Sequence, residues 1–162
     1  MLKRIITVDD PGIPTDEGWL DLGNSAQAEL TSEDASHPFE GALTPGMGSG
    51  WRASEPGQQI VRLLFHTPLH VKRVHLVFHE SEQPRTQVFS LRWCSDIQNK
   101  SWQDIVRQQF NFNPPDTVHE IEDYEVDLIG LKVLELSINP DISGRAAFAS
   151  IAELRLASHY HH

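Results

Sequence analysis

Apolar residues recur at every second position in run after run of this chain, and that period leaves little room for anything but β-strand. Residues 59–65 place Val61, Leu63 and Phe65 on one face. Residues 71–79 place Val74, Leu76 and Phe78 on one face and Arg73, His75, Val77 and His79 on the other. In 88–93 Phe89, Leu91 and Trp93 fall together, so Cys94 faces outward or caps the strand. Leu134, Leu136 and Ile138 share a face within 131–138, and Phe148, Ser150, Ala152, Leu154 and Leu156 share one within 147–157. Further strands are expected over 26–32 and 120–128. Residues 101–112 fit alternation and a helix about equally, and Phe110 and Phe112 running into Pro114-Pro115 favour strand.

Turn residues punctuate these runs at Pro56-Gly57, Thr67-Pro68, Gln83-Pro84, Asn113 to Asp116, Ile129-Gly130 and Asn139 to Asp141. Repeated short strands between such signals predict an antiparallel β-sandwich of about eight strands. One long stretch, 33–54, has no period and carries Gly41, Pro45, Gly46, Gly48 and Gly50 before Trp51. A loop of that length is usually functional, and its aromatics Phe39 and Trp51 predict that it is packed. The 162 residues suit a single domain. It divides into an N-terminal extension packed on the sandwich (1–25), the sandwich itself (26–157) and a tail (158–162) whose histidines are left out of the functional reading.

Charge excludes some partners. With 23 acidic against 13 basic side chains the formal net charge is −10. That opposes non-specific binding to nucleic acid or to an anionic membrane surface. No apolar run approaches the ~20 residues of a membrane-spanning helix. Cys94 is the single cysteine, so no internal disulfide forms, and residues 1–10 hold charges but no apolar signal-type core. A cytoplasmic location is the expectation. Nine of the bases are Arg, suited both to buried ion pairs and to oxygen-rich ligands.

The order of features resembles the discoidin-like, factor V/VIII type C family of galactose-binding-domain proteins. The resemblance covers roughly 26–157. Leu30-Thr31-Ser32 and the long loop ending Gly50-Trp51-Arg52-Ala53 match that family's first strand and Trp-bearing loop. Phe65-His66-Thr67-Pro68 matches its Phe-x-x-Pro, Leu91-Arg92-Trp93 its Trp-bearing strand, and Ala152-Glu153-Leu154 its last strand. The resemblance implies a jelly roll that binds ligands through loops at one end. It also raises calcium, with Glu153 at a family carboxylate position and Asp34 or Glu33 as a second. The loop here lacks the Asp-Gly pair that many calcium-binding members hold, and calcium requires six to eight oxygens.

The residues argue against an enzyme. His75 and His79 lie about 13 Å apart in a strand at ~3.3 Å per residue, too far for one ion. No His-Glu-x-x-His or Gly-x-Ser-x-Gly motif occurs. Adjacent acids such as Glu122-Asp123 diverge in extended structure. Sugar recognition instead needs an aromatic platform with planar donors and acceptors. The loop positions supplying them are His37, Trp51, Arg52, Arg85, Gln87 and Trp102. Trp51 either packs at the loop base or forms the platform. Arg85 either pairs with the acids of 80–82 or faces the ligand, and Trp102 is a rim platform or a core anchor. The expectation is a non-catalytic module with a glycan partner; the alternative is a protein-interaction or scaffold module of the same fold.

Overall fold

The computed structural model describes residues 18–44, 50–95 and 101–159. Among the described residues eight strands run in chain order: β1 (Ala26–Leu30), β2 (Trp51–Arg52), β3 (Gln59–His79), β4 (Arg85–Cys94), β5 (Gln103–Phe112), β6 (His119–Asn139), β7 (Ser150–Ile151) and β8 (Glu153–Ala157). Of two single-turn helices among these residues, α1 (Leu22–Ser25) precedes β1 and α2 (Glu40–Leu43) lies within the long loop. All strand pairs are antiparallel. The ambiguous 101–112 stretch is strand, as expected.

Two of the expected turns are not turns. Thr67-Pro68 lies inside β3 and Gly130 inside β6, each strand continuing for 21 residues. The pairing between them slips from Leu64↔Val133 to Leu69↔Leu131, so four residues of β3 oppose one of β6. Such a bulge bends both strands, and Gly130 takes the left-handed φ of +75° that the bend demands. Each strand thereby serves two layers. One layer holds β1, the first part of β3, the last part of β6, then β4 and β5; the other holds β8, the remainder of β3 and the start of β6. The layers meet face to face, with the Phe78 and Phe89 rings 5.1 Å apart.

The alternation places the core well. Val61, Leu63, Phe65, Val74, Leu76, Phe78, Phe89, Leu91, Leu136 and Leu154 are all buried. Burying one such side chain contributes roughly 1.5–3 kcal/mol. Two assignments of facing need correction. Cys94 is buried while Trp93 is only partly so; the β4–β5 pairing skips Ile105 after Leu91, while the β4–β6 pairing runs unbroken to Cys94 opposite the buried Val133. Phe148 points outward; Ala147, Ala149 and Ile151 are the buried set there. The strand breaks at Ala152, whose N–H donates to the Val77 carbonyl, and the phase changes before Leu154 and Leu156.

The described parts of the long loop, 33–44 and 50–54, are packed, as its aromatics predict, and 45–49 lie outside the described residues. Phe39 meets Trp51 edge-on at 6.4 Å. The β2–β7 ribbon, with Trp51 opposite Ile151, ties the loop to the chain before β8. Gly50 is required there: its φ is +71°, and an added Cβ would lie 2.4 Å from the Ile151 carbonyl oxygen. Residues 1–17 of the N-terminal extension and 160–162 of the tail lie outside the described residues. Trp19, which is described, sits on the outer face of the β3–β8 layer, 4.4 Å beneath the Arg73 guanidinium and 5.7 Å from the His75 ring.

Candidate functional site

Three loops converge at one end of the sandwich. The first is the part of the long loop that delivers Arg52, the second is the turn from β3 to β4 (Glu80 to Pro84), and the third precedes β7. Arg52, Glu80, Ser81, Glu82, Gln83, Phe148 and Ser150 line a cleft of about 120 Å³ between them. The Arg52 guanidinium carbon stands 4.9 Å from the centre of the Phe148 ring. Phe148 is 36% exposed, unusual for a phenyl ring in this chain. A cation–π contact holds the guanidinium over the ring. Among the described residues Arg52 has no ion pair, so its fork of N–H donors is available.

The cleft wall is rigid. Glu80 accepts a hydrogen bond of 2.6 Å from Arg85 Nε, and its other oxygen accepts the amides of Glu82 at 2.9 Å and Gln83 at 3.3 Å. Burial pushes the Glu80 carboxyl upward, but the Arg85 hydrogen bond and those amides outweigh it, and the group stays ionised below the usual range. Gln83 reaches the Ala146 carbonyl, joining the second loop to the third.

His37 belongs to the same end. Its carbonyl accepts the Arg52 amide at 3.2 Å, and the Asp34 amide donates to the Arg52 carbonyl at 2.8 Å. Asp34 holds the His37 ring through Nδ1 at 3.2 Å. The amide of Ser36 and the His37 hydrogen bond keep the Asp34 carboxyl below its ordinary value. Of the six expected ligand residues, Arg52 lines the cleft, and His37 adjoins it through the backbone without lining it.

The other four do not line the cleft either. Trp51 is fully buried and donates Nε1–H to the Ser32 carbonyl at 3.2 Å, so it packs the loop base and offers no platform. Arg85 is buried, pairs with Glu80, donates to Gln87 and to the Pro140 carbonyl at 2.9 Å each, and stacks 4.5 Å from the Phe112 ring centre. Gln87 is fully buried and donates to Glu120 at 3.1 Å. Both are interior struts, because the strand start at Arg85 turns odd-numbered residues inward. Trp102 lies against Arg92 at 4.2 Å, and Arg92 with Arg62 pairs with Glu135 on a sheet face; Trp102 does not line the cleft.

The two carboxylates expected at a calcium site both have protein partners. Glu153 is engaged by Arg155 at 3.4 Å and faces His75 at 3.8 Å, while Asp34 is held by His37. Among the described residues no three of His, Cys, Asp or Glu cluster to hold a metal ion.

The aromatic that lines the cleft, Phe148, escaped the sequence because Ala147 to Ile151 alternates equally well in either phase. Two alanines flanking one phenylalanine carried the signal, since small residues suit a tightly packed inner face.

No protein-family model matches the sequence, and no curated protein matches it either. Solved structures do match in fold. The family 32 carbohydrate-binding module of Clostridium perfringens NanJ, solved with galactose, superposes with a TM-score of 0.63 at 16% identity, covering 86% of this chain and 97% of that one. A second C. perfringens module, solved with GalNAc-β-1,3-galactose, gives 0.60 at 18% identity over 86% and 99%. The AlyQ module, solved with 4,5-unsaturated mannuronic acid, gives 0.54 at 15% identity over 82% and 95%. The fold is thus the galactose-binding-like jelly roll.

Proposed function

We propose that this protein is a non-catalytic carbohydrate-binding module and that its saccharide occupies the cleft between Arg52, Phe148 and the Glu80 to Gln83 turn. One observation carries the reading: an exposed phenyl ring with a guanidinium stacked on it, walled by hydroxyl and amide groups, at the loop end of the jelly roll. A sugar presents an apolar C–H face and a rim of hydroxyls. The solvent-exposed face of the ring covers the former, and the Arg52 fork donates to two neighbouring hydroxyls at once. Ser81, Gln83 and Ser150 supply further donors and acceptors. The solved neighbours whose ligands are galactose, a GalNAc disaccharide and an unsaturated uronic acid support the ligand class.

Few contacts are made and water competes for each hydroxyl, so affinity for a monosaccharide is expected near ~1 mM, about 4 kcal/mol. Titrating neutral and uronic sugars against the ¹⁵N-labelled chain tests this. Amide shifts should concentrate at Arg52, Ser81 to Gln83 and Phe148. Phe148→Ala and Arg52→Ala should each weaken binding about tenfold, the loss of ~1.4 kcal/mol, with the fold unchanged. No shift from any sugar at about ten times that concentration would transfer the reading to the protein-interaction alternative.

A further inference from the structure

Outside the cleft, the chain brings two imidazoles together that the sequence keeps 40 residues apart. His79 ends β3 and His119 begins β6, and they face each other as the last pair of that ladder. Their rings stand 4.6 Å apart and the two Nδ1 atoms 3.2 Å apart, both side chains exposed to solvent. With neutral rings that contact holds one proton, carried by one Nδ1 and accepted by the other.

The same separation fits a metal. Two nitrogens each 2.0–2.1 Å from one ion stand roughly 3.3–3.4 Å apart at a tetrahedral angle, and about 2.9 Å apart at the right angle copper(II) and nickel prefer. The observed 3.2 Å lies between these values. Directly opposed positions on paired strands hold their Cβ atoms in a fixed relation, so the bite is set by the sheet and not by chance rotamers. We propose that His79 and His119 form a two-histidine site for an imidazole-preferring divalent ion (zinc, copper(II) or nickel). Both Nδ1 lone pairs go to the ion, and the proton formerly between the rings moves to Nε2, so neutral rings release no net proton. Water fills the remaining positions. Because His79 immediately precedes Glu80, a bound ion anchors the root of the turn that walls the cleft, although the site stands independently of any saccharide.

The test uses the full chain with His159→Ala, His161→Ala and His162→Ala, which removes the tail histidines. Zinc is titrated while the imidazole nitrogens are followed by long-range ¹H–¹⁵N spectra. The rings of His79 and His119 should shift together and saturate at one zinc per chain below ~1 mM, a Kd limit of about 4 kcal/mol. His79→Gln and His119→Gln in that background should each weaken zinc binding at least tenfold. Unmoved rings at that concentration, or a loss smaller than tenfold in either variant, would overturn the proposal. The ring spectra of the unsubstituted pair serve as a readout that does not depend on either variant folding.

Discussion

Glu120 offers a test of how the interior is organised. It is 1% exposed, and its Oε1 accepts a hydrogen bond from Gln87, which in turn accepts one from Arg85. Its Oε2 has no partner among the described residues. Burial, reinforced by the neighbouring Glu122 carboxyl, raises its pKa from 4.5 to about 8. The folded state therefore keeps a proton that the unfolded chain has released between those values. It binds more protons there, so stability falls as pH rises through that window and the loss is complete above about 8. At 1.36 kcal/mol per pKa unit the loss is at most roughly 5 kcal/mol. Relaxation around the ionised group trims this figure, and about 2–4 kcal/mol is the expected share for Glu120 itself. Glu120→Gln keeps the shape and cannot ionise. Urea unfolding followed by tryptophan fluorescence should find wild type and variant similar near pH ~4, with the variant gaining that amount by pH ~9. Parallel stability profiles, within about 0.5 kcal/mol over the whole range, would refute the argument that a protonated carboxyl sits in this core.

Two further perturbations probe the frame around the site. Phe78→Ala removes a fully buried ring packed on Phe89 and should cost about 3–5 kcal/mol in denaturant melts; a cost under about 1 kcal/mol would mean the two layers do not meet there. Gly50→Ala forces a Cβ against the Ile151 carbonyl at a left-handed φ and should cost about 2 kcal/mol or more, also blurring the amide resonances of Arg52 and Phe148; a neutral substitution would show that the β2–β7 ribbon is not clamped at Gly50.

Side-chain alternation is a local property, and so strand identity and most of the core were legible in the residues alone: Val74, Leu76 and Phe78 need no partner to be recognised as one face. The packing of the long loop, which has no period, was legible through the aromatics Phe39 and Trp51. What depends on pairing was not. Thr67-Pro68 and Ile129-Gly130 resemble turns in any local reading, and only the slip between β3 and β6 makes them bends in two shared strands. Cys94 is buried where β4 pairs with Val133 of β6, and a break at Ala152 decided that Phe148 turns outward. Arg85 and Gln87 have the chemistry of sugar contacts, yet the phase of β4 sends them into the interior. Arg52 reaches the cleft because a backbone ribbon carries it there. His79 and His119 illustrate the rule most plainly: spacing along one strand argued against a shared ion, and only the neighbouring strand brings a second imidazole within 3.2 Å. Composition and period determine what each segment is; a site depends on which segments the sheet places side by side, and that is settled by long-range hydrogen-bond register.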